Sequence, residues 1–81
     1  MSSMGAAANR ELAICSEKQR LIDALLDVHA RLLDLSHQEV AGVKRGDLTQ
    51  VAALQRPMER ARLQRDNVLI LLRAHVKEHG C

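Results

Sequence analysis

The sequence contains no Phe, Tyr or Trp among its 81 residues. Any core must therefore be aliphatic, built from Leu, Val, Ile, Ala and Met. The same absence removes the stacking platforms on which single-strand nucleic-acid binders hold their bases. No long apolar run is present either. The longest, Val68 to Leu72, spans five residues, against the roughly 20 needed to cross a bilayer. Proline occurs once, at Pro57, and only Gly46 separates Gly42 from Gly80, so the chain has one clear place to turn. Two Cys without a secretory signal point to a reducing compartment, most simply the cytoplasm. The N-terminus Met1-Ser2-Ser3-Met4-Gly5-Ala6-Ala7-Ala8 lacks the basic start and apolar stretch of a signal peptide. The expectation is a soluble protein with no membrane partner.

What is present fits a small amphipathic helical protein. Charged residues make up 27% of the chain and hydrophobic residues 47%, too apolar for a disordered segment. The net charge of +2 is nearly balanced: residues 1–46 carry six basic and six acidic side chains, and residues 47–81 carry six and four. That asymmetry is too weak to imply a nucleic-acid partner.

Lys44-Arg45-Gly46-Asp47 organises the rest. Glycine commonly ends a helix in the left-handed conformation, and Asp is a preferred N-cap for the next. Gln50, three residues after Asp47, completes the pattern of a capping box. Lys44 and Arg45 complement the carbonyl end of the first helix dipole. The fold class expected is therefore all-α: an antiparallel two-helix hairpin with its turn at residues 46–47.

Residues 1–8 read as a flexible segment, and Asn9 is the candidate N-cap of a helix over about 9–45. At about 100° per residue, Ile14, Leu21, Leu25, Val28, Leu32 and Leu35 form one apolar row. Cys15, Ile22, Leu26, His29, Leu33 and Val40 form a second beside it. The second helix covers about 48–79. Its stripe is Val51, Leu54, Met58, Ala61, Arg65, Val68, Leu72, His75 and His79, a 3-4 alternation over four heptads. Pro57 lies inside it and removes one hydrogen bond, so a kink is expected there, a short separate helix over 48–55 being the alternative.

A lone hairpin covers one side of each helix. The apolar rows of helix 1 take up nearly half its circumference, so a long Leu-rich strip would stay exposed, and such strips mark partner sites. A second copy would cover it in a homodimeric four-helix bundle, and a helix of another protein would fit equally. The residues this reading assigns to assembly are Leu21, Leu25, Val28, Leu32, Leu35, Leu54, Val68 and Leu72. The layout of long helix, Gly-Asp turn and long helix resembles, by analogy, small bacterial export chaperones of flagellar type. That likeness implies an adaptor sheltering a partner's helix.

Three other constellations carry possible chemistry. His75 and His79, at i and i+4, share one side of their helix and can chelate a transition metal. Cys81 follows after Gly80, and the fold-back brings Cys15 opposite Val76 and Lys77, so a Cys₂His₂ site at the open end is one candidate. A Cys15–Cys81 disulfide is another use of the same thiols, against a default of no cofactor. His29 and Arg65, both on apolar sectors, form a candidate polar layer that would fix register more readily than bind a ligand. Arg56, Arg60, Arg62 and Arg65 scatter around their helix instead of forming a phosphate-facing stripe. There is no Gly-rich phosphate loop and no nucleophile motif. The expectation is a non-enzymatic interaction module.

Overall fold

The computed structural model describes the backbone of residues 2–80 and the side chains of residues 16–80. The described chain is two α-helices packed along their length, α1 over Ser2–Arg45 and α2 over Leu48–His79. The molecule is a rod of 67 × 16 × 14 Å. Its long dimension is that of α1 alone, since 44 residues at 1.5 Å per residue span about 66 Å.

The helix of α1 begins at Ser2, upstream of the expected start at Asn9, and Asn9 is therefore not a helix N-cap. Ala6, Ala7 and Ala8 have the highest helix propensity of any residue type, and they carry the helix through a segment whose small polar residues suggest flexibility. α2 continues through Pro57 as one helix, without a separate element over 48–55.

The turn is closed by hydrogen bonds that the Gly-Asp pair makes possible. Gly46 adopts φ of 69°. Its N–H donates to the Val43 carbonyl at 3.0 Å, and the Asp47 N–H donates to the Gly42 carbonyl at 2.9 Å. Together these form a Schellman motif, which satisfies two carbonyls at the end of α1. The Asp47 carboxylate accepts from the Gln50 N–H at 3.0 Å and so caps α2. Only half of the capping box forms, because the Asp47 N–H that Gln50 would engage is already bonded to Gly42. Gly42 is buried and lets the helices approach: a Cβ there would lie 3.0 Å from Val51 Cγ2. At the far end Gly80, with φ of 70°, donates its N–H to the Val76 carbonyl at 2.8 Å and ends α2.

The buried residues of the seam between the helices are all aliphatic or Met. Val28, Leu35, Leu54, Met58 and Ala61 form its buried cluster, with Leu25 and Leu32 packed against it. Leu21 and Val68 are buried further toward the open end. No polar or charged side chain among the described residues is buried. One hydrogen bond between side chains crosses from helix to helix among them, from Gln55 Nε2 to Glu39 Oε2 at 2.8 Å.

Candidate interaction surface

Most residues assigned to assembly by their periodicity are used up inside the chain. Leu21, Val28, Leu35, Leu54 and Val68 are buried, and Leu25 and Leu32 pack on the same cluster. Leu72 is half-buried. They close α1 on α2, so the surface left over for a partner is a different one.

That surface is the second row of α1. Leu26, Leu33 and Val40 recur every seven residues and are 62, 60 and 49% exposed. Val43 extends the strip toward the turn at 59% exposed. At 100° per residue the three lie roughly 120° around α1 from the seam, out of reach of α2. Seven-residue spacing keeps them in line along the helix, as in the seam of a coiled coil. On α2 the exposed apolar residues are more scattered. Leu63 and Ile70 form a pair on its back, whereas Leu71 and Val76 point elsewhere.

Charged groups border the α1 strip. Asp23 and Lys44 are both exposed and lie 21 residues apart, three heptads, on the same edge of α1. Asp23 accepts a hydrogen bond from the neutral Gln19 amide at 3.0 Å. Among the described residues neither Asp23 nor Lys44 belongs to an ion pair.

His29 stands within this strip and is exposed, whereas Arg65 is half-buried at the seam. No hydrogen bond or ion pair joins them. The Arg65 guanidinium turns along its own helix, with Nε 3.1 Å from Asp66 Oδ1. The long aliphatic stem of Arg65 lets it share the seam while its charge reaches the rim.

The open end of the hairpin holds a shallow cleft of about 220 Å³ lined by Glu17, Leu21, Leu71, Ala74, His75 and Glu78. Arg20 donates to both oxygens of the Glu17 carboxylate. That hydrogen bonding, helped by the charges of Arg20 and His75, holds the Glu17 carboxyl below its ordinary 4.5. The His75 and His79 rings stand 4.8 Å apart, centroid to centroid, tilted by 54°. His79 Nε2 lies 3.9 Å from Glu78 Oε2. The other two members of the Cys₂His₂ proposal, Cys15 and Cys81, have side chains outside the described residues. Among the described residues no three His, Cys, Asp or Glu side chains gather as a metal site.

The fold defines the class of molecule: an all-α antiparallel helical hairpin, with no described helix long and apolar enough to cross a membrane. Compared with protein-family models, curated proteins and solved structures, the chain matches none of them.

Proposed function

We propose that this protein is a non-enzymatic self-association module, in which a second copy of the chain covers the exposed strip of α1. The observation that carries this reading is the row Leu26, Leu33, Val40 and Val43, left between about half and two-thirds exposed by a hairpin whose core is complete without it. Completing the burial of each such side chain returns about 1–2 kcal/mol. In a two-fold arrangement every contact occurs twice, so four residues per chain supply eight buried side chains. The exposed apolar residues of α2, Leu48, Leu63, Ile70, Leu71 and Val76, do not fall in one row, so the α1 strip is the surface best arranged to collect that energy. The second copy also answers the limited size of the core, since chains this small commonly gain stability by oligomerising.

The test is the solution mass of the reduced full-length protein, by light scattering after size exclusion, over a wide range of concentration. A mass of twice the chain that dissociates on dilution, and that Leu33→Asp reduces to one chain, is the expected result. A wild-type protein that stays at one chain mass throughout overturns self-association and assigns the strip to a helix of another protein.

A further inference from the structure

From the arrangement of charge around the strip we infer the geometry of the dimer: α1 packs antiparallel on α1 of the second copy, with the two-fold axis passing close to Leu33. This inference rests on self-association through the strip and adds its direction and register.

The argument is one of self-complementarity. Leu26, Leu33 and Val40 are centred on residue 33, and the two unpaired charges on their edge, Asp23 and Lys44, are centred between residues 33 and 34. A two-fold axis at that point exchanges the ends of the strip. It sets Leu26 against Val40 of the other copy, and each Asp23 beside the other copy's Lys44. Both mismatched groups on the edge of α1 thereby gain an opposite charge, and each pair forms twice. The parallel alternative puts this edge of the two copies on opposite sides of the interface, so Asp23 and Lys44 gain no partner in each other. Sliding the antiparallel pair by one heptad parts Asp23 from Lys44, setting Lys44 opposite residue 16 or 30 of the other copy. The α2 side of the hairpin offers no comparable surface, because Leu63 and Ile70 stand as an isolated pair on its back.

The dimer dissociation constant of Asp23→Lys, Lys44→Asp and the double variant, measured by sedimentation equilibrium at low salt, tests the register. Helicity by circular dichroism checks that these exposed substitutions leave the hairpin folded. Each single variant places like charges at two symmetric positions, and we expect it to weaken the dimer by roughly 3- to 30-fold, less at high salt where exposed charges are screened. The double variant restores opposite charges at both positions and returns the constant to within about 2-fold of wild type. Single variants that bind as tightly as wild type, while Leu33→Asp still dissociates the dimer, overturn this register and leave self-association standing. A wild-type monomer overturns both.

Discussion

Leu54 and Leu33 are the same residue type in opposite environments, and the contrast between them tests the helix phases on which everything else depends. Leu54 is 6% exposed in the seam and Leu33 is 60% exposed on the flank. Truncating Leu54 to Ala removes buried methyl groups and leaves a space that the thin seam closes only in part. The cost expected is about 2–5 kcal/mol. For a domain of this length 1 kcal/mol moves the melting midpoint by about 4–8 °C, so Leu54→Ala should lower it by at least 8 °C or so and, at the upper end of the range, leave the chain largely unfolded. Leu33→Ala, compared under conditions where the chain is monomeric, removes surface that water already touches. It should change stability by no more than about 0.5 kcal/mol. The assay is thermal and urea unfolding followed by circular dichroism, with the two variants and wild type at one concentration. Equal losses for the two variants in the monomer would refute the phase of α1, because Leu33 would then have to face α2.

Three further outcomes follow from local geometry. Gly46→Ala keeps an open surrounding, with nothing within 4 Å of the added Cβ, so its cost comes from the left-handed backbone alone: about 1–2 kcal/mol by denaturant unfolding. Asp47→Ala removes the acceptor for the Gln50 N–H and should cost about 1 kcal/mol, with Asp47→Asn retaining most of the stability. The Glu17 carboxyl, followed by carbon NMR, should titrate below 4.5 in wild type and move up toward the ordinary value in Arg20→Gln. Because its folded value is depressed, any stability it contributes is present above pH 4.5 and disappears as the pH falls through the folded midpoint.

The parts of this fold that were legible in the sequence are those set by neighbours along the chain. Gly46 and Asp47 specify a turn by their own backbone preferences, and the turn then sets the register. Gly42 meets Val51, Glu39 bonds Gln55, and Glu17 lines a cleft with Ala74 and His75. Simple fold-back about residue 46 gives these pairings to within about one helical turn. What periodicity left open is which of two adjacent apolar rows on α1 would face α2. Both rows are Leu-rich, and the choice is made by α2, far away in sequence. The residues expected at the partner surface therefore turned out to line the intramolecular seam. Two smaller differences are local. Asp47 gives its N–H to the Schellman motif in place of Gln50, and the expected polar layer of His29 and Arg65 does not form because His29 lies on the exposed row while Arg65 stays at the seam.

The composition of the seam also bears on how folding and association relate. Seven buried residues, all aliphatic or Met, hold the two helices together, and no buried polar group adds directional contacts. Helices held by one such stripe depend on tertiary packing more than on intrinsic propensity. If the α1 strip is covered by a second copy, the same helix is packed on two sides, and part of the stability of α1 is drawn from its partner. Stability then depends on concentration by mass action. The melting midpoint of wild type should rise with protein concentration, and that of Leu33→Asp should stay constant at the value wild type reaches on dilution. A wild-type midpoint independent of concentration would mean that α1 gains nothing from a second copy. The strip would then be a surface kept free for another protein at a cost in solubility, and the charges at Asp23 and Lys44 would have to be matched on that protein's helix.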